Sequence, residues 1–527
     1  MLFKTKILEN EYFWGGEVAS GTDMPISKGS RYCRDYRIYA HNQFMPMFLS
    51  TEGRYIWSDK SFKVWVENGE LCFEGEGNFE LYEGGSCLRD AYLHAMENHF
   101  PFDQTRKQGK TLPREFFKSA QFNGWVEFDY EPTQKGILEY AHGIIDSGFE
   151  PGILMIDEGW HERYGIWDFD KHKFPDPKAM IDELHSLGFI VMLWVTPYVT
   201  ADGVSFCKTT GQMFSPDTYD KCFLRNKEGE VAIVKWWNGY SAILDLRKEC
   251  DREYLSKRLD YLMNEYGVDG FKCDGGSYYC YARENMINGT PRDDHDQESL
   301  NLAWNEFGAR YKYHEYKDTF KGGGKATIQR LCDREHKWTD YGIGALLPCA
   351  ILQGLFGHPF ICPDMIGGGS WLDKYLPDFK LDEELFIRMA QASALFPMMQ
   401  FSLAPWRCLS KESFDIVFDA YKLHLAFSEE IIAQVSNAEK TGEPILRSLE
   451  YNDPHQGYAP ITDELMLGND ILICPVITKG TTEKEITFPY GKWQDENGNI
   501  YEGRSKQILK TPLSKLLWFR RIKNDEE

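Results

Sequence analysis

Two kinds of hydrophobic patterning succeed one another along the chain. Up to about residue 115 there are short alternating stretches without helical period, such as FKVWVENGELCFEGEG (62–77). Period-two alternation on either side of an Asn-Gly pair predicts two strands joined by a tight turn, and several such stretches predict a small β-sandwich. From Phe122 the pattern changes. Apolar runs such as GILMIDEGW (152–160), FIVMLWVTPYV (189–199), VDGFKCDGG (268–276), KATIQRLCD (325–333) and PFICPDMIGG (359–368) alternate with helical segments, and the apolar GALLPCAILQGLFG (344–357) lies between the last two runs. Among the latter are PKAMIDELHSLG (177–188), YLSKRLDYLMNEYG (254–267) and LDEELFIRMAQASALF (381–396). An unbroken apolar run suits a strand covered on both faces, so this alternation predicts a parallel (β/α)8 TIM barrel, closed by the helix-like 413–434. Beyond Thr441 alternation returns around a DENGN turn, predicting a second sandwich. The expected division is an N-terminal β-sandwich (1–118), a catalytic barrel (119–438) and a C-terminal β-sandwich (439–527).

Charge and cysteine usage narrow the partners and compartment. A formal charge of −22 disfavours nucleic acid or an anionic membrane, each of which needs a basic patch. No apolar run is long enough to span a membrane or to serve as a signal peptide. Thirteen cysteines, an odd number without a CxxC pair, predict no disulfide framework and a reducing compartment, by default the cytoplasm. A homo-oligomer is compatible with this composition. The aromatic share of 15% is high, and aromatic rings both fill cores and stack on sugars.

In a barrel the chemistry lies at the C-terminal ends of the strands. The polar residues that follow the apolar runs are Asp157 and Glu158, Trp194, Asp274, Asp333 and Asp364. Any one Asp there reads as a helix cap, but several carboxylates on one rim repel one another and call for a use. Two uses are open. One is a divalent metal site, the other glycoside hydrolysis by an ionised nucleophile and a protonated acid. The indoles of Trp160, Trp194, Trp236 and Trp237 favour a sugar. Zinc, serine-hydrolase and phosphate-loop motifs are missing, and no metal or organic cofactor is expected.

VDGFKCDGG resembles the nucleophile strand of glycoside hydrolase family 31, which implies Asp274 as nucleophile. GILMIDEGW with the following helix and strand is similar to that family's sugar-binding segment, which implies hydroxyl-binding roles for Asp157 and its neighbour Glu158. GLFGHPFICPDMIGG resembles the family's Gly-Ala-Asp-Ile-Gly-Gly segment, implying a binding or supporting role for Asp364. IRMAQASALFPMMQFS resembles its Arg-Trp-x-Gln helix, with Arg388 and Gln391 in place. CDREHKW implies Asp333 as acid/base, ahead of Glu335, although the family's Gly-Asp-Asn context is replaced; Arg330 or Arg334 would supply a nearby positive charge. Trp194 and Trp237 would contact the sugar. Lys272 has an interior-looking place, fit either to hold Asp274 ionised, to bind a hydroxyl, or to lie in a buried ion pair. CPDMIGGG and MMQFS are similar to the branch that holds the myogenesis-regulating glycosidase and bacterial α-galactosidases. The resemblance therefore implies a retaining, exo-acting hydrolase of an oligosaccharide or small α-glycoside, α-galactoside first and α-glucoside or α-xyloside next. A transglycosylase, a non-catalytic carbohydrate-binding protein on the same fold, and a metal-dependent barrel enzyme are the competing classes.

Overall fold

The computed structural model describes residues 1–100, 111–201, 223–370 and 379–522. The chain forms two compact units, one of Met1–Arg37, Gln43–Ala120 and Lys321–Glu527, the other of Ile38–Asn42 and Gln121–Phe320.

The second unit carries five parallel strands side by side in chain order: β1 (Gln121–Asn123), β2 (Ile153–Ile156), β3 (Ile190–Val195), β4 (Gly270–Cys273) and β5 (Tyr313–Tyr316). Helices α1 (Gln134–Asp146), α2 (Pro177–Ser186), α3 (Glu249–Tyr261) and α4 (Gln297–Gly308) alternate with them. All four residues of β2 and of β4 are buried, as the unbroken apolar runs require. Local chemistry fixes where helices begin. Thr133 caps α1 by accepting from the Gly136 amide, and Asp176 caps α2 ahead of Pro177 in the first turn.

In the first unit the alternation continues. Strands β6 (Ile328–Arg330) and β7 (Ile361–Cys362) pair in parallel around α5 (Leu346–Leu355); β8 (Met365–Ile366) and β9 (Gln400–Phe401) do so around α6 (Glu383–Ser393). Helix α7 (Lys411–Thr441) starts at a Ser410 cap and stops at Gly442, whose φ of 77° is the left-handed conformation that ends a helix.

The same unit holds both flanking β regions. Strands Phe62–Glu67 and Glu70–Gly75 form the expected hairpin, its Asn68 and Gly69 both at positive φ (53° and 73°). Phe48 of the neighbouring sheet packs on Phe62 and Phe73 at centroid distances of 6.2 and 5.4 Å, joining two sheets face to face. At the C-terminus Met466, Leu472, Phe488, Trp493 and Phe519 form a second buried core.

Helix α5 packs on the short helical turn Val18–Asp23 so closely that Gly21 leaves no room for a Cβ: one would lie 2.7 Å from the Cys349 backbone. Gly21→Ala should therefore lower the thermal inactivation temperature, by the equivalent of about 1–3 kcal/mol for overpacking a closed interface. Gly29→Ala, where a Cβ meets nothing within 4 Å, should leave it unchanged.

Candidate active site

Register places the polar ends of the second unit's strands together. Trp194, Lys272 and Glu315 are lateral partners on β3, β4 and β5, and the two-residue period of a strand brings Asp274 and Lys317 one step further on the same side. Asp274 accepts from three directions. The Gly275 amide donates to Oδ1 at 2.8 Å, Trp194 Nε1 donates to Oδ2 at 3.2 Å, and Lys317 Nζ lies 3.5 Å from Oδ2. An indole N–H and an ammonium both favour the ionised carboxylate. Trp194 is itself buried, between His161 and Tyr164. Its indole N–H is taken up by the Asp274 carboxylate.

Lys272 does not pair with Asp274. Its Nζ donates to Asp157 Oδ2 at 2.6 Å, both side chains being 4% exposed, so the buried ion pair is the reading that holds. Asp157 Oδ1 accepts from the Glu158 amide at 2.8 Å.

Glu158 differs from both aspartates. Burial pushes its carboxyl up to about 8, and the charges of Asp157 and Asp274 push in the same direction, while a Tyr164 hydrogen bond and Lys272 oppose. Tyr164 Oη and Asn238 Nδ2 each donate to Glu158 Oε1 at 2.5 Å, and Tyr130 Oη donates to Asn238 Oδ1 at 3.1 Å. Asn238 sits at the turn of the hairpin Ile233–Trp236/Gly239–Ile243, which Trp236 anchors by stacking on Tyr198 at 4.0 Å. Beside it Trp237 is 43% exposed, with Lys317 Nζ 6.0 Å from its ring centroid. An anchored hairpin thus offers an open indole next to the group that faces Asp274.

Two residues past β5, Asp318 is buried and its carboxyl is pushed up to about 7, chiefly by burial. It accepts from the Tyr278 amide at 2.9 Å and from Asn301 Nδ2 at 3.0 Å.

In the first unit Arg330, at the end of β6, stands between two carboxylates. Nη1 donates to Asp364 Oδ1, and Nη2 donates to Asp333 Oδ1 at 2.8 Å. Asp364 is buried at φ 84° and also accepts from the Arg334 amide at 2.7 Å. Burial pushes its carboxyl up to about 6, against Arg330. Asp333 is open, its side chain 39% exposed, whereas Glu335 pairs with Lys337. Arg388 is taken up elsewhere. It donates to Gln391 Oε1 at 2.9 Å and to the carbonyls of Thr511 and Pro512 at 2.9 and 3.3 Å, tying α6 to the C-terminal β region. The expected sugar contact is corrected to this structural clamp. Both Nη groups donate to carbonyl oxygens.

Among the described residues no group of three or more His, Cys, Asp or Glu could hold a metal ion. Lys317, Asp318, Tyr164 and Asn238 escape the sequence reading. Lys317 and Asp318 follow YHEY, a strand without an apolar run; Tyr164 and Asn238 lie on connections that carry no periodic signal.

The family model for the glycosyl hydrolase family 31 TIM-barrel domain matches residues 120–405, and that for the family's C-terminal domain matches 442–522. The chain is 28% identical over 431 residues to the myogenesis-regulating glycosidase of Mus musculus, covering 79% of this chain and 57% of that protein. It is 24% identical over 424 residues to alpha-glucosidase 2 of Bacillus thermoamyloliquefaciens, covering 74% and 50%. The chain thus spans little more than half the length of these relatives. Among solved structures, a family 31 dextranase of Flavobacterium johnsoniae complexed with glucose superposes with a TM-score of 0.81 at 19% identity, over 99% of this chain and 66% of that one. The fold is that of a TIM-barrel domain with β-rich flanks.

The Glu158 environment makes a prediction with a definite sign. A carboxyl raised to about 8 in the folded state from an ordinary 4.5 stays protonated there while the unfolded chain has lost its proton, so its contribution to stability falls as pH rises across that window. Glu158→Gln, which cannot ionise, should gain melting temperature relative to the parent progressively from about pH 5 to pH 8. A difference that stays constant with pH would contradict the assignment.

Proposed function

The chain belongs to glycoside hydrolase family 31, and within that family we propose a retaining, exo-acting α-glycosidase whose first substrate class is the terminal α-galactoside. The observation that supports it most is the setting of Asp274, a carboxylate held by an indole N–H and faced by an ammonium 3.5 Å away. That is the setting an ionised nucleophile needs. Asp274 Oδ attacks the anomeric carbon, the bond to the leaving oxygen breaks, and Asp333 gives its proton to that oxygen. A β-linked glycosyl ester results. Water then gives a proton to Asp333 and attacks the anomeric carbon, Asp274 departs, and the sugar leaves with its α configuration retained. Asp333 can carry a proton despite its bond to Arg330, because Asp364 already shares that guanidinium's charge.

The galactoside rests on the resemblance of the CPDMIGGG and MMQFS segments to the branch that holds the myogenesis-regulating glycosidase and bacterial α-galactosidases. The match to an alpha-glucosidase favours α-glucoside as the second reading, with α-xyloside beside it. An acceptor sugar in place of water makes the same intermediate a transglycosylase. We propose a reducing compartment, the cytoplasm; the buried thiols of Cys72, Cys273, Cys280, Cys349 and Cys474 support this.

A panel of 4-nitrophenyl α-glycosides (galactoside, glucoside, xyloside, N-acetylgalactosaminide) tests the proposal, with Asp274→Asn assayed alongside. Turnover of the galactoside is expected, falling in the variant on the order of 10⁴-fold or more, as removal of a nucleophile does. Full activity in Asp274→Asn would overturn the nucleophile. Turnover of the glucoside alone would overturn the sugar and keep the reaction.

A further inference from the structure

We infer that His336 is the positioning residue of the loop that presents the acid/base, clamping it between the end of β8 and the first turn of α6; this rests on the reading of Asp333 as that group. The Asp382 amide donates to His336 Nε2 at 2.8 Å. An amide N–H can only donate, so Nε2 accepts and carries no proton. Nδ1 must then hold the ring proton, and it donates to the Gly367 carbonyl, also at 2.8 Å. One neutral imidazole thereby bridges two separate elements with both nitrogens used.

Both anchors are themselves fixed. Asp382 caps α6 by accepting from the Leu385 amide at 3.2 Å, while its Oδ2 accepts from Trp338 Nε1 at 3.0 Å and from Lys479 Nζ at 2.6 Å. Trp338 belongs to the same loop as His336, so Asp382 grips the loop twice. On the other side Gly368, at φ 102°, lies so near that a Cβ would fall 2.8 Å from the Arg334 carbonyl oxygen and 3.0 Å from the His336 nitrogen. The Ser370 amide closes the contact by donating to the Arg334 carbonyl at 3.0 Å. Asp333, by contrast, is open, its side chain 39% exposed, and it accepts from Arg330. The precision of its carboxyl therefore depends on how firmly the chain after it is held. Proton transfer needs hydrogen-bond reach to the leaving oxygen, and an error of about 1 Å costs on the order of 10²-fold. His336 reaches the reaction through Asp333.

A positioning role has a signature that general destabilisation lacks, because acid assistance matters for a poor leaving group and little for a good one. The full chain carrying His336→Ala, His336→Gln or Asp333→Ala is assayed on phenyl and 2,4-dinitrophenyl α-galactoside, or on the glucosides if the sugar panel turns those over. For His336→Ala, kcat/KM on the phenyl substrate should fall about 10- to 100-fold while the dinitrophenyl substrate loses less than about 3-fold, with KM little changed. His336→Gln, which restores a donor and an acceptor, should recover part of the loss. The ratio of the two substrates within one sample cancels the folded fraction, so a poorly folding variant still reports. Equal losses on both substrates with a shifted ratio in Asp333→Ala would overturn the role of His336 alone. An unshifted ratio in Asp333→Ala would overturn the acid assignment, and the inference with it.

Discussion

The second unit's strand ends depend on keeping Asp274 charged within a cluster of acids. Asp157, Glu158 and Asp274 act on one another electrostatically in a buried setting, where three negative charges would repel strongly. The protein resolves this with three separate devices. Lys272 neutralises Asp157 in an ion pair at 2.6 Å, burial raises the Glu158 carboxyl to about 8, and Asp274 takes the Gly275 amide, an indole donor and a more distant ammonium. A carboxylate in a tight ion pair is a poor nucleophile. Asp157 lies 2.6 Å from Lys272 and Asp274 lies 3.5 Å from Lys317, a difference that supports Asp274 as the proposed nucleophile.

The first unit faces the opposite problem, since the proposed acid/base, Asp333, has to alternate between holding and releasing a proton. Arg330 alone would bias Asp333 toward the charged form. Its guanidinium, however, also pairs with Asp364, which is buried and 1% exposed at the side chain, so the positive charge is divided between two acids. The same arrangement makes geometry critical, since an exposed Asp333 has little packing of its own.

Much of this was legible in the sequence, for physical reasons that also explain the gaps. The rule that chemistry follows apolar strands found Asp157, Asp274 and Asp364, because β2, β4 and β7 are covered on both faces and read as unbroken runs. It found Asp333 through its motif, at a strand reduced to three residues. The rule could not find Lys317, because Tyr313–Tyr316 is a buried strand made of polar and aromatic residues. Nor does an apolar run by itself separate strand from helix. GALLPCAILQGLFG is α5, a helix buried on every side between the short helical turn at Gly21 and the strand Leu446–Arg447, so no polar face betrays its period. Arg388 shows the limit of resemblance: the residue is in place, but its donors are used on carbonyls of the C-terminal region. His336 and Asn238 are held by hydrogen bonds to residues distant in sequence, which leave no pattern there.

The account's central claim is that Asp274 forms a covalent bond to the sugar, and the most direct test is to trap that bond. A 5-fluoro-α-galactosyl fluoride, whose ring fluorine slows release more than formation of the intermediate, is incubated with the full chain, which is then digested and examined by mass spectrometry. The prediction is time-dependent inactivation with one fluoroglycosyl group on the peptide containing VDGFKCDGG, at Asp274. Inactivation with the label on another carboxylate, Asp157 above all, would contradict it.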